Sequence, residues 1–363
     1  MKRLGLRAAA VLAAAALLCT GRAAAAPSVS ARSAILMDAA TGRVLFAQEA
    51  DRQSLIASIT KVMTGLLICE DGDLGRTVTV PPEAVGVEGS SLYLKLGEQL
   101  TVEQLLYGLM LRSGNDAAVA LAVTADGTAE RFVARMNRRA AELGLADTHF
   151  ANPHGLDDEG NYSTARDLAR LAAAAMENET FRQVVSTRTY AFGQRSLTNH
   201  NKLLWRCNGV VGVKTGYTRA AGRLLVSAAE RMGRRLIAVT INDPDDWADH
   251  AALLDWGFSR MQEKEAAPAG QSLGAVPVVG GTAAVVRCRL TAALRCTLLP
   301  EEGAEVRLCL PRFVWAPVTE GAQAGWAELC VDGAVLARAP LVWETGAGVL
   351  QEPPGLLERL LGG

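Results

Sequence analysis

Six of the 37 basic residues in this chain are lysines: Lys2, Lys61, Lys95, Lys202, Lys214 and Lys264. The other 31 are arginines. A lysine amine loses its proton when desolvated, whereas a guanidinium does not. The few internal lysines are therefore the first places to look for acid–base chemistry. Lys61 follows Ser58 at three residues, in Ser58-Ile59-Thr60-Lys61. On a helix that spacing puts both side chains on one face, where a neutral amine can take the proton that keeps a serine from acting as a nucleophile. The same spacing also suits an N-cap serine with an exposed lysine. A second group is Ser113-Gly114-Asn115, which puts a hydroxyl and an amide on one tight turn. Ser, Gly and Asn are equally ordinary turn residues. The third is Lys214-Thr215-Gly216 followed by Tyr217. There a cation and a hydroxyl can hold a carboxylate, and the glycine lets a ligand approach the backbone.

Local patterns predict the elements that must carry these groups. Residues 33–38 and 43–48 alternate about Ala39-Ala40-Thr41-Gly42, as a β-hairpin does. Residues 57–70 have helical periodicity and place Ser58 in the first turn. A helix over 102–111 stops at Arg112 to Asn115, and an alanine-rich helix follows over 116–125. Residues 129–143 and 164–177 read as amphipathic helices, the latter capped at Ser163-Thr164. Three strands are expected over 209–215, 223–229 and 234–241, then a helix after Pro244 ending near Phe258. The two N-terminal strands joining the later three give an α/β unit with one antiparallel sheet. A linker is expected over 263–275, rich in Ala, Gly, Pro and charge. Short β runs at 283–290, 305–310, 325–331 and 335–343 then predict a small all-β C-terminal domain over 276–350.

The composition, half hydrophobic and 21% charged, is that of a globular chain. The near-zero net charge gives no footprint for nucleic acid. Residues 1–26 read as a secretory signal peptide: Lys2, Arg3 and Arg7, an apolar run from Ala8 to Leu18, and small residues from Ala23 to Ala26. Without them the chain carries 33 basic and 38 acidic residues and is exported. Cys69, Cys207, Cys288, Cys296, Cys309 and Cys330 then remain. The four C-terminal ones are the candidates for disulfides, with buried thiols the alternative. No cysteine or histidine spacing matches a metal site, and H-E-x-x-H is absent. His149, His154, His200 and His250 are read as loop or packing residues. The tail 351–363 ends in Leu356-Leu357 and Leu360-Leu361. This short stripe offers at most weak peripheral membrane contact.

The three motifs in this order resemble those of the penicillin-binding proteins and serine β-lactamases. More specifically, the chain is similar to the low-molecular-mass, serine-type D-alanyl-D-alanine carboxypeptidases. The similar stretches are Ala57 to Thr64, Arg112 to Ala117, Phe150 to Leu156 (FANPHGL) and Lys214 to Thr218. The likeness covers about residues 30–262 and continues loosely into the β domain. It implies a serine β-lactamase/DD-peptidase-like fold over 27–262, with an antiparallel sheet flanked by helices and a helical lobe. It also implies that Ser58 is acylated, Lys61 is its base, and Ser113 relays a proton to departing D-alanine. Asn115 would hold a substrate carbonyl, and Lys214 and Thr215 the terminal carboxylate. The Ser58 and Tyr217 N–H groups would form an oxyanion hole. The partners implied are a peptidoglycan stem peptide ending in D-Ala-D-Ala and β-lactam antibiotics. No cofactor is implied.

Two departures stand out. Asn242 to Leu254 holds no arginine where some relatives place one, so the carboxylate clamp is expected to rest on Lys214, Thr215 and Arg219. The E-x-x-L-N element of drug-destroying β-lactamases is absent, and the middle motif is Ser-Gly-Asn rather than Ser-Asp-Asn. The alternatives are a DD-endopeptidase or β-lactamase on the same scaffold, or an inactive wall-binding protein.

Overall fold

The computed structural model describes residues 25–351. The signal-peptide stretch up to residue 24 and nearly all of the leucine-bearing tail lie outside the described residues.

Five antiparallel strands form the central sheet. In spatial order they are Val44–Gln48, Ser33–Asp38, Arg234–Ile241, Gly222–Arg231 and Val210–Thr218. The N-terminal hairpin thus joins the three later strands, as its alternation predicts. The register pairs Ser33 with Ile241 and Asp38 with Leu236, and sets Val226 opposite Lys214. All six residues of Ser33–Asp38 are buried, so the sheet is covered on both faces. Successive side chains point to opposite faces of a strand. Ile35 and Met37 accordingly enter the core shared with the helical lobe. Leu36 instead packs with Leu253, Leu254 and Phe258 of the helix Asp246–Ser259.

The helical lobe carries the other two motifs. Helix Val102–Leu111 opens with a capping box between Thr101 and Gln104. Asn115–Asp126 follows, and Ala129–Glu142 and Ala165–Glu177 begin at Thr128 and Thr164, whose side chains cap them. The helix expected over 57–70 starts differently. Ala57–Thr60 is a three-ten turn, and the α-helix proper is Lys61–Asp71. A helix over Glu179–Ser186 and a hairpin of Thr189–Phe192 with Arg195–Thr198 are additions. No described helix is long and apolar enough to cross a membrane.

The C-terminal region is all β among the described residues. Its largest sheet has six strands and encloses its own core around Val286, Leu290, Leu329 and Leu341. The stretch 263–275 differs from expectation. Gln262–Ala267 is a strand paired with Leu294–Leu298, and Ser272 begins another strand reaching Val279. Charge, glycine and proline hid these strands, because they lie at a surface where one side of the ladder is solvated. All six described cysteines are free thiols, so the expected C-terminal pairing is not formed.

A buried ionic knot ties the central sheet to strand Leu294–Leu298 and the segment just after it. Arg234 Nε donates to Asp38 Oδ2 at 2.9 Å, and its Nη2 meets Glu302 Oε1 at 3.2 Å. A third donation goes to the Thr297 carbonyl. Arg234 is 4% exposed and both carboxylates are fully buried.

Candidate active site

Backbone strain sets the stage for the nucleophile. Ala57 holds a φ of 45° at the entry to the three-ten turn, a conformation that non-glycine residues adopt only when their surroundings impose it. The imposing neighbour is Gly155 of the FANPHGL loop, at φ 89°. A Cβ there would sit 1.9 Å from the Ala57 carbonyl oxygen, so the two backbones touch only because residue 155 is glycine. The turn leaves Ser58 half-buried while Lys61, one turn on, is fully buried.

Lys61 Nζ lies 3.0 Å from Ser58 Oγ and 2.6 Å from Asn115 Oδ1, and it also reaches the His154 carbonyl. The Asn115 amide is fixed in direction, because its Nδ2 donates to the Glu88 carbonyl at 2.6 Å. Oδ1 therefore faces the lysine. Burial lowers the Lys61 pKa well below its ordinary value, and the nearby Lys214 charge lowers it further. The charge of Asp116 opposes this only in part. A neutral amine has two N–H donors and one lone pair. The Asn115 and His154 oxygens can only accept, so they take both N–H groups. An amine that has lost its proton can then turn its lone pair to Ser58 Oγ. That is the arrangement a general base requires.

Ser113 lies on the turn between helices Val102–Leu111 and Asn115–Asp126. It is a second strained residue, at φ 61°. Its Oγ accepts from Lys214 Nζ at 3.1 Å. Lys214 also donates to the Thr215 carbonyl at 2.8 Å. It is 2% exposed, and burial pushes its pKa down to about 7. Asp116 holds this region together from beneath. Its carboxylate accepts from Leu92 N and Leu94 N and from Ser91 Oγ, and Asn115 N donates to the Ser90 carbonyl at 2.7 Å.

The Lys214 strand passes directly beside the Ser58 turn. A Cβ at Gly216 would come within 3.2 Å of the Ile59 side chain and 3.4 Å of Ile59 N. Ser58, Ser113, Thr215, Gly216 and Tyr217 line one cleft of about 360 Å³. Lys61, Asn115 and Lys214 stand behind its wall, through the contacts above. All eight expected site residues thus converge from a helix start, an inter-helix turn and a strand end.

Arg219 does not join them. The cleft's arginine is Arg223, from the neighbouring strand, tied to Asp246 at 2.7 Å. Sequence reasoning missed it because it sought the cation after the last strand, whereas the hairpin folds Arg223 opposite Tyr217. His154 and His200, read as loop residues, also belong here: the first through its carbonyl on Lys61, the second as a cleft wall. Among the described residues no cluster of His, Cys, Asp or Glu is placed to hold a metal ion.

A half-buried serine beside a buried lysine of lowered pKa, with a serine–lysine pair across the cleft, defines a serine acyl-transfer enzyme of the penicillin-recognising type. The family profile of D-alanyl-D-alanine carboxypeptidases, Peptidase S11, matches residues 20–245, and the chain belongs to that family of serine-type, cell-wall-acting enzymes. It is 34% identical over 329 residues to D-alanyl-D-alanine carboxypeptidase DacF of Bacillus subtilis, covering 86% of this chain and 84% of the relative. It is 33% identical over 361 residues to DacA of Escherichia coli, covering 90% and 85%. Among solved structures, penicillin-binding protein 5 of Haemophilus influenzae superposes with a TM-score of 0.66 at 31% identity, over 90% of this chain and 99% of that one. The Streptomyces K15 DD-transpeptidase superposes with a TM-score of 0.63 at 34% identity, over 65% of this chain and all of that one. The fold is therefore the serine DD-peptidase fold, followed here by a further β-rich region.

Proposed function

We propose that this chain removes the terminal D-alanine from peptidoglycan stem peptides ending in D-Ala-D-Ala, through an ester on Ser58. The observation that carries the reading is the buried Lys61 amine, 3.0 Å from Ser58 Oγ and flanked by the acceptor-only oxygens of Asn115 and His154. Ser58 Oγ attacks the penultimate carbonyl as its proton passes to Lys61. The oxyanion is received by the N–H groups of Ser58 and Tyr217. Lys214 and Thr215 bind the terminal carboxylate, and Asn115 both orients Lys61 and faces the substrate's peptide carbonyl. Ser113, held by Lys214, delivers a proton to the departing amine. Gly216 keeps the strand close enough for Tyr217 to share the oxyanion site. Water then hydrolyses the ester. A β-lactam acylates the same serine.

Catalytic residues over 27–262 and a β-rich region over 276–350 fit an enzyme working in the wall. The leader in residues 1–26 takes it across the cytoplasmic membrane, and the leucines of 351–363 give at most a weak peripheral contact there. The test is free D-alanine release from a Lys-D-Ala-D-Ala peptide by the mature chain, beside Ser58→Ala. Release lost in the variant, together with loss of fluorescent penicillin labelling, supports the reading. Release that survives the substitution overturns it.

A further inference from the structure

One end of the β-rich region meets the catalytic unit. There the turn between strands Gln323–Val331 and Ala334–Trp343 brings Asp332 to 3.6 Å from Arg43 of the N-terminal hairpin. Thr297 and Glu302 hold Arg234 at the same junction. From that turn the two strands run outward for nine and ten residues, about 30 Å at roughly 3.3 Å per residue. Cys288 pairs with Trp343 at their far end. The hairpin of Ser272–Val279 and Val285–Leu290 continues past it, with Pro277 opposite Val285.

The tip beyond that pairing gathers apolar side chains. Val278 and Val279 pair in parallel with Val314 and Trp315. The first of each pair is half-buried and packs on the domain core. The second turns outward, as alternation requires. Leu350 N donates to the Gly280 carbonyl at 2.8 Å, and Val349 bridges to Gly281. Phe313 meets the Trp315 ring edge-on, with centroids 5.9 Å apart. Val279, Phe313, Trp315, Val349 and Leu350 are all exposed, Trp315 to 68% and Leu350 to 58%. A contiguous apolar patch of this kind marks a contact surface.

The chemistry of the patch points to lipid. The five side chains carry no charge, and their one polar group is the Trp315 indole N–H, which nothing accepts among the described residues. An apolar ring with an unspent donor suits the boundary between acyl chains and headgroups, where tryptophan is enriched. The sequence after Leu350 leaves from the middle of the patch and carries Leu356, Leu357, Leu360 and Leu361. Apolar character thus continues from the tip into the next residues of the chain. Going beyond the carboxypeptidase reading, and resting only on its export, we infer that this tip is a lipid-contact surface. Trp315, Phe313 and their neighbours enter the headgroup boundary of a bilayer, and the β-rich region stands between that bilayer and the Ser58 cleft.

The experiment sediments the full mature chain with vesicles of equal parts phosphatidylglycerol and phosphatidylethanolamine. Wild type is expected to bind. Phe313→Ser and Trp315→Ser should each weaken binding about tenfold, the worth of one large apolar side chain returned to water. Trp315→Phe should keep most of the affinity. All three should match wild type in melting temperature and in D-alanine release from a soluble peptide, which reports their fold. Leu356→Ser with Leu360→Ser is the comparison. Binding that vanishes in this tail variant but withstands Phe313→Ser with Trp315→Ser assigns the contact to the tail and overturns the inference. A wild type that does not sediment overturns it too, as does one that dimerises through this tip without binding vesicles. Vesicle binding is read without substrate. A chain that binds through Trp315 yet releases no D-alanine therefore removes the carboxypeptidase reading and supports the lipid contact.

Discussion

The protonation of Lys214 should set the alkaline limit of this enzyme. An ordinary lysine titrates near 10.5, and burial brings this one down to about 7. At roughly 1.4 kcal/mol per pH unit, that fall represents about 5 kcal/mol charged against the ammonium by desolvation. In the free enzyme the lysine therefore loses its proton as pH rises through about 7. The proposed clamp loses its cation over the same range. Lys61 imposes the opposite limit. Its neutral form is the proposed base, so activity should be lost as pH falls through its depressed pKa. The profile of kcat/KM, which reports the free enzyme, should be a bell with its alkaline limb near neutrality. A bound carboxylate restores part of the lost solvation and raises the Lys214 pKa by roughly 1–3 units. The alkaline limb of kcat should move upward by that amount. A substrate whose terminal carboxylate is amidated should show no such separation. The assay is D-alanine or D-alaninamide release across buffers from acid to alkaline. A kcat/KM that stays flat well above neutrality, or the same separation for the amidated substrate, would refute the assignment of Lys214 to the carboxylate.

Three further outcomes follow from the geometry. Asn115→Asp places an anion against Lys61, favouring its ammonium; the acid limb of kcat/KM should move to higher pH, with activity at neutrality down about 10- to 100-fold, as a pH–rate profile will show. Gly155→Ala drives a Cβ into the Ala57 carbonyl and displaces the Ser58 turn, so D-alanine release should fall about 100-fold and the melting temperature should drop. Arg234→Met leaves Asp38 and Glu302 buried without their cation and should cost about 3–5 kcal/mol in urea unfolding. Adding Asp38→Asn and Glu302→Gln should return much of that loss.

The residue types and their spacing were enough to select the chemistry. Two of the six lysines in an arginine-rich chain, Lys61 and Lys214, stand beside hydroxyls and point to amines that can lose a proton. The hairpin and the long helices were equally legible, because their apolar periods are local. Ser33–Asp38 and Val102–Leu111 fall at the expected residues. The strands Gln262–Ala267 and Ser272–Val279 were not legible. Their pairing partners lie at residues 294–298 and 285–290, and a solvated strand need not alternate.

What the sequence could not decide is which atom faces which. Whether Lys61 can serve as the proposed base depends on Asn115 and His154, 54 and 93 residues away, both presenting oxygens to it. The direction of the Asn115 amide depends in turn on a carbonyl at Glu88. The arginine of the cleft is Arg223 because strand pairing sets it opposite Tyr217, whereas Arg219 lies nearer the motif in sequence. Hydrogen bonding and desolvation act over a few ångströms in space, whatever the separation along the chain. The sequence by itself determined the reactive groups and the local elements that carry them. Their protonation, direction and company were decided by the tertiary structure.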